Sequence, residues 1–258
     1  MTVHYQLRGS VVWIRIDRPE ALNALDIDTL QALESAFLAA EIDPAARVVV
    51  LTGTGRAFSA GGDIHQLLRE MDGVVDAPSY IESVTRAFTA VRALGKPLIG
   101  CVNGLAVGGG LELALHCDLV VASECARLGD GHSNFGIFPG GGSSAMLPRR
   151  MSLNQAKDLL FSGRLLSALE WQQMGIVNRL VPLEQLESQT QALADELATK
   201  SPVLLRRLKA FANTTSDMPL HAALQEELQQ LRAQMTTNDM REGTSAFVEK
   251  RIPHYTGT

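Results

Sequence analysis

Gly104-Leu105-Ala106-Val107-Gly108-Gly109-Gly110-Leu111-Glu112-Leu113-Ala114-Leu115-His116 is the stretch on which the reading of this chain turns. Three consecutive glycines imply close backbone approach or dihedrals that other residues avoid. A helix-forming run follows them at once. The first N–H groups of a helix have no intrahelical acceptor, and the helix start carries the positive end of the dipole. An oxyanion placed there meets donors already aimed at it, worth about 3–4 kcal/mol per donor in acyl transfer. Glu112 follows Gly109 by three residues, so both lie on one face of the first turn. One segment thus offers an oxyanion donor and a carboxylate for proton transfer. The competing reading is structural: glycines that let a helix pack closely, and a glutamate that complements the dipole.

Two further glycine clusters frame this one. Phe58-Ser59-Ala60-Gly61-Gly62-Asp63-Ile64 follows a strand-like run. Asp63 and Gln66 have capping-box spacing, which predicts a helix start after Asp63 and makes Asp63 a cap first. The glycines before it expose N–H groups able to face the same ligand. Phe138-Pro139-Gly140-Gly141-Gly142-Ser143-Ser144 precedes another helix and reads as a tight turn forming a pocket wall rather than as chemistry.

Outward from these clusters the chain alternates. Val11–Ile16 reads as a strand, 17–23 as a proline-containing turn, and 28–41 as a helix with Leu30, Leu33, Phe37 and Leu38 at helical spacing. Residues 47–52 are apolar at nearly every position, which suits a strand covered on both faces. Lys96-Pro97 leads into Leu98–Val102, and 118–122 is a further strand. This irregular repetition of strand, turn and helix predicts an α/β protein with right-handed crossovers. From Asn154 onward the pattern is helical: 154–161, 167–174 stopped by Gly175, 183–200 ended by Ser201-Pro202, 220–236 and 239–251.

The bulk properties exclude several classes. A chain of 258 residues with 46% hydrophobic and 20% charged residues is long enough to bury a sizeable core. The net charge of -5 argues against nucleic-acid binding as the main role, since that needs an excess of Lys and Arg. Cys101, Cys117 and Cys125 are odd in number and lack Cys-x-x-Cys spacing, so they read as reduced residues rather than a disulfide framework or metal set. Residues 1–7 hold no apolar signal segment, and no window approaches the ~20 apolar residues of a membrane span. A cytoplasmic location without membrane contact is therefore expected.

Several separated segments carry a resemblance. They are Pro19-Glu20-Ala21-Leu22-Asn23-Ala24-Leu25, 58–67, 96–118, 136–142, the stretch from Phe161-Ser162-Gly163 to Val181-Pro182, and Asp239-Met240-Arg241-Glu242-Gly243 onward to Pro253, which contains Ala246-Phe247-Val248-Glu249-Lys250-Arg251. In order, and essentially end to end, this set resembles the enoyl-CoA hydratase/isomerase (crotonase) family. The resemblance implies an α/β fold: a crotonase-like spiral of ββα units with a helical C-terminal trimerisation region. Residues 1–200 would form the spiral core, with acyl-CoA binding and catalysis, and 201–258 the helical region for oligomerisation. It implies acyl-CoA thioesters as ligands, with the Gly62 and Gly109 amides on the thioester oxygen. Ala60, Asp63 and Ile64 would lie along the CoA, and Lys250 would approach CoA across a trimer interface. The shared enolate chemistry needs no metal and no cofactor beyond the coenzyme A of the substrate. The expected assembly is a homotrimer or a dimer of trimers.

The pattern breaks at one place. Classical hydratases of the family use two glutamates; the first matches Glu112, and the second falls on His132 in Leu128-Gly129-Asp130-Gly131-His132-Ser133-Asn134-Phe135-Gly136. Histidine is an acid or base near neutral pH. It can equally steer the enolate towards double-bond isomerisation, decarboxylation, C–C cleavage or thioester hydrolysis, or simply line the pocket as a polar residue. Asp130 is a nearby substitute carboxylate. The expected reaction is hydration of 2-enoyl-CoA with Glu112 as acid/base. The alternatives are an isomerase, decarboxylase or hydrolase of the family, or a non-catalytic acyl-CoA or RNA binding protein. His116 reads as a core or orienting residue and His65 as solvent-facing. Ser143 and Ser144 do not sit in a Gly-x-Ser-x-Gly elbow, and 108–110 is not a dinucleotide fingerprint. Residues 71–80 are expected to shape the acyl pocket.

Overall fold

A computed structural model gives the fold for residues 2–74 and 79–258; residues 75–78, within the stretch assigned to the acyl pocket, lie outside the described residues. The strands are β1 (Val3–Arg8), β2 (Val11–Ile16), β3 (Val48–Gly53), β4 (Ala57–Ser59), β5 (Leu98–Val102), β6 (Leu105–Val107), β7 (Leu119–Ser123), β8 (Arg127–Gly129), β9 (Leu166–Ser167) and β10 (Arg179–Val181). The helices are α1 (Ile27–Ile42), α2 (Ile64–Met71), α3 (Tyr80–Ala93), α4 (Gly109–His116), α5 (Ser143–Arg150), α6 (Leu153–Ser162), α7 (Ala168–Gln173), α8 (Leu186–Ala198), α9 (Pro202–Thr215), α10 (Leu220–Gln234) and α11 (Asn238–Glu249).

The strands form two sheets. One has the order β1-β2-β3-β5-β7-β10, with β1 antiparallel to β2 and the rest parallel; the other has the order β4-β6-β8-β9, parallel except for β9. Each turn of the chain gives one strand to each sheet: β3 then β4, β5 then β6, β7 then β8. Helices close the turns, so the chain winds as a spiral of ββα units. This is the crotonase-like architecture that the resemblance implies.

β3 shows how the sequence sets this up. All six of its residues are buried. Val49 and Leu51 face the main core between the layers, while Val48 and Val50 face a second core under α8, with Trp13, Leu186 and Leu193. Period-two alternation persists even though both sets are apolar.

The proline-containing turn is held by Asn23. Its Oδ1 accepts from the Arg18 amide at 2.8 Å, and its Nδ2 donates to the carbonyls of Thr54 (2.9 Å) and Ala57 (2.7 Å). These bonds tie the loop before α1 to the start of β4.

Several expectations need correction. A short strand, β6, intervenes between Asn103-Gly104 and the glycine-rich helix start. The helix assigned to 183–200 is a 3-10 turn over Leu183–Gln185 followed by α8. Ser201-Pro202 ends one helix and also begins the next: Ser201 caps α9 through the Leu204 amide, and Pro202 occupies its first turn, where a missing N–H costs nothing. β9 and β10 interrupt the helical second half. Among the described residues no helix is long and apolar enough to cross a membrane.

Candidate active site

The parallel pairing of β4, β6 and β8 brings three loops to one end of the smaller sheet. Ser59 pairs with Ala106, and Val107 pairs with Gly129. The strands therefore release Ala60-Gly61-Gly62-Asp63, Gly108-Gly109 and Asp130-Gly131-His132 side by side. Crevices at the carboxyl ends of parallel strands are the usual binding place in α/β folds. A cavity of about 220 Å³ lies here, its lining including Ala60, Gly62, Asp63, Ile64, Gly109, Glu112 and His132. Seven of the eight predicted site residues thus meet in one place. Lys250 does not: it is exposed at the end of α11, in a left-handed conformation (φ 56).

The glycines explain the closeness. Gly108 has φ 53 and ψ -120, a combination open to glycine, and it starts α4 with no side-chain cap. The first-turn amide of Gly109 is left without an intrahelical acceptor. Gly62 belongs to a parallel bridge with Leu25, in which Leu25 N donates to Gly61 O (2.8 Å) and Asp63 N donates to Leu25 O (3.1 Å). Strand alternation turns the Gly62 amide away from Leu25. A Cβ added at Gly109 would stand 3.6 Å from the Gly62 amide nitrogen, so the two loops are in contact. Any side chain at Gly110 would overlap the Ser59 carbonyl.

Glu112 is 2% exposed. Its Oε1 accepts from the amides of Gly141 (2.9 Å) and Ser143 (3.0 Å), and its Oε2 lies 4.0 Å from His132 Nε2. The third glycine cluster is therefore more than a wall, because its backbone holds the carboxylate in place. His116 has no hydrogen bond or ion pair with Glu112 among the described residues. Its Nε2 donates to the Gly141 carbonyl at 2.8 Å, its ring packs edge-on against Phe88, and burial pushes its imidazole below the ordinary value. That is the orienting role, exerted on the loop that grips Glu112.

His132 lies in a 3-10 turn (His132–Phe135) and hydrogen-bonds through Nδ1 to Asp130 Oδ1 at 3.1 Å. Burial works to lower its imidazole. The hydrogen bond to Asp130 and the charges of Glu112 and Asp130 outweigh that and hold it above the ordinary value. Burial likewise works to raise the Asp130 carboxyl, but hydrogen bonds from His132 and Ser143 keep it below the ordinary value. The Ser143 hydroxyl donates to Asp130 and is fully buried, which removes Ser143 as a nucleophile.

Asp63 caps α2, its Oδ1 accepting from His65 N (3.0 Å) and Gln66 N (3.4 Å). The reciprocal half of the box is absent: Gln66 Oε1 accepts from Ile27 N instead, at 2.7 Å. His65 is exposed, as expected. Tyr80 ends the 71–80 stretch expected to shape the acyl pocket and does line the cavity, although sequence reasoning gave it no individual role. It is 6% exposed, its hydroxyl lies against Gly62, and burial pushes its phenol up. The rest of the lining, including Leu67, Ile81, Val84, Phe88, Ile137 and Phe138, is apolar.

Two glycine amides, a buried carboxylate and a histidine around an apolar cavity can stabilise an oxyanion and move protons beside it. The family model for enoyl-CoA hydratase/isomerase matches residues 6–258. The chain belongs to this family. A probable enoyl-CoA hydratase of Rhizobium meliloti is 34% identical over 250 residues, covering 97% of this chain and 96% of that protein. A crotonyl-CoA hydratase of Syntrophomonas wolfei is 35% identical over 241 residues, covering 93% and 92%. Among solved structures, an enoyl-CoA hydratase of Bacillus anthracis superposes with a TM-score of 0.92 at 32% identity, covering all of both chains. One described as enoyl-CoA hydratase subunit I, from Geobacillus kaustophilus, gives 0.92 at 35%, covering 100% and 99%. The enoyl-CoA hydratase/isomerase fold thus spans essentially the whole of this chain.

Proposed function

We propose that the protein adds water across the double bond of 2-enoyl-CoA thioesters. The observation that carries this reading is the meeting of the Gly62 and Gly109 amides with Glu112 and His132 in one apolar pocket. The thioester carbonyl lies between the two amides. Glu112 takes a proton from water as its oxygen attacks the β-carbon. Charge moves to the thioester oxygen, where the two amides stabilise the enolate. His132, whose protonated form is favoured by Asp130 and Glu112, delivers a proton to the α-carbon. The proton held by Glu112 then returns to His132 across the 4.0 Å between Oε2 and Nε2, and the site is reset. Hydrogen and hydroxyl have been added, and no metal or redox step is involved.

Ala60, Asp63 and Ile64 follow the Gly62 loop and would run along the CoA; the apolar lining suits an uncharged acyl group. Lys250 is outside this pocket, which fits an approach to CoA from a neighbouring subunit in a trimer or dimer of trimers. The exposed apolar row Leu220, Leu224, Leu228 and Leu231 on α10, continued by Met235 at its end, supports such an assembly. The test is hydration of crotonyl-CoA and longer 2-enoyl-CoAs by the purified protein, followed by loss of the enoyl absorbance. Absence of water addition with all of them contradicts the reading. One observation favours a second: the partner of Glu112 is a histidine rather than a carboxylate. A single carboxylate shuttling a proton would isomerise 3-enoyl-CoA, and conversion of that substrate without hydration would select this alternative.

A further inference from the structure

Asp130 borders the cavity beside His132, yet among the described residues it is one of the most buried charged groups, at 1% exposed. Its Oδ1 receives two donors, His132 Nδ1 and the Ser143 hydroxyl, while its buried Oδ2 has no partner among the described residues. A buried carboxylate oxygen without a partner is costly, so packing alone does not explain this choice of residue. Its position does. Nδ1 is engaged by Asp130, which turns the opposite ring nitrogen, Nε2, to Glu112. The Ser143 residue joins the two arms: its amide donates to Glu112 Oε1 at 3.0 Å, and its hydroxyl donates to Asp130.

We propose that Asp130 is a positioning residue, which fixes the tautomer and direction of His132 through Nδ1 and, with Ser143, locks the His132 and Glu112 arms into one acid/base unit. The unit is a carboxylate–imidazole pair backed by a second, buried carboxylate. This rests on the reading of His132 as the acid and deepens it. Asp130 also favours the protonated ring, because its charge and the hydrogen bond both act on that form. The charged groups that act on the ring are Asp130, from the end of β8, and Glu112, from α4. The Gly108 turn packs on the ring with backbone alone. Among the described residues, neither α5, which reaches the pair through Ser143, nor α6, packed against the 3-10 turn, adds a charge to the groups that shift it.

Two measurements test this, one of which needs no substrate. In histidine NMR titrations of the whole protein, Asp130→Asn keeps the shape of the side chain and removes its charge. The His132 midpoint is expected to move to lower pH and its neutral form to lose the Nδ1–H preference. Asp17→Asn, which faces His4 at the surface, is expected to leave His132 unmoved. An unshifted His132 midpoint in a folded Asp130→Asn variant overturns the proposal, whatever the reaction proves to be. In the turnover assay, Asp130→Asn is expected to lower kcat about tenfold or more with KM little changed. The same substitution made in a His132→Gln background is expected to cost several-fold less, since the ring is gone and only the Ser143 arm remains to be loosened. Equal losses in both backgrounds would assign Asp130 a merely structural role and also overturn the proposal.

Discussion

Gly141→Ala tests the grip on the Glu112 carboxylate. A Cβ at this position would stand 2.5 Å from Glu112 Oε2, 2.8 Å from its Cδ and 2.7 Å from Phe88 Cζ. Ordinary contact begins near 3.4 Å, so the carboxylate must retreat by about 0.9 Å. That movement weakens the amide bonds from Gly141 and Ser143, each worth about 1.5–3 kcal/mol to a charged acceptor. A misplacement of about 1 Å at a reacting group costs about 100-fold, or roughly 2.7 kcal/mol of barrier. Gly140→Ala is the control, because a Cβ there meets nothing within 4 Å. The assay is steady-state hydration of crotonyl-CoA, with acyl-CoA affinity and melting temperature measured on the same samples. The expected result is a kcat about 100-fold lower for Gly141→Ala, with affinity and fold kept, and near-unchanged turnover for Gly140→Ala. Wild-type kcat in a folded Gly141→Ala protein would refute the view that this loop fixes Glu112.

The remaining predictions concern pH and stability. His132 stands above its ordinary value, so its charged form is complete at low pH and is lost as pH rises through that raised value. The pH profile of kcat/KM is therefore expected to fall on an alkaline limb that disappears in His132→Gln; a limb that survives the substitution belongs to another group. The lowered Asp130 value has the opposite sign: the stability it contributes is present above its unfolded value and lost as pH falls through the folded one, which acid-unfolding curves of wild type and Asp130→Asn compare. Asn23→Ala removes three side-chain hydrogen bonds, one buried and two half-buried, and leaves a non-glycine residue at φ 57 without its side-chain support. It is expected to cost about 3–4 kcal/mol by denaturant unfolding, and a loss below 1 kcal/mol would show that the loop relaxes.

The legible parts of the fold were those whose signal is local. β3 is apolar from Val48 to Leu51, and α4 announces itself by glycines followed by helix formers. β1 was missed because it is an edge strand: His4, Tyr5, Gln6 and Leu7 are exposed, so no apolar alternation marks it. α9 was missed because Ser201-Pro202 carries the same residues for stopping one helix and starting the next. In the site, Gly62, Gly109 and Glu112 were visible because each sits in a glycine-rich motif at a helix start, whereas His132 was found only through the family resemblance. The loop at Gly141 and Ser143 was read as a passive wall because its bonds to Glu112 span about 30 residues of sequence. Gln66 shows the same limit, its spacing suggesting a local box while its side chain serves Ile27, 39 residues away.

The central claim is that Glu112 moves the proton in a pocket whose glycine amides hold the thioester. Glu112→Gln keeps the size of the side chain and an oxygen for the two loop amides, but cannot take a proton. Turnover of crotonyl-CoA by this variant, measured alongside acyl-CoA affinity, is the direct test. The account predicts a kcat lower by about 10²–10⁴-fold with affinity preserved. Unchanged turnover would contradict it and remove Glu112 from the chemistry.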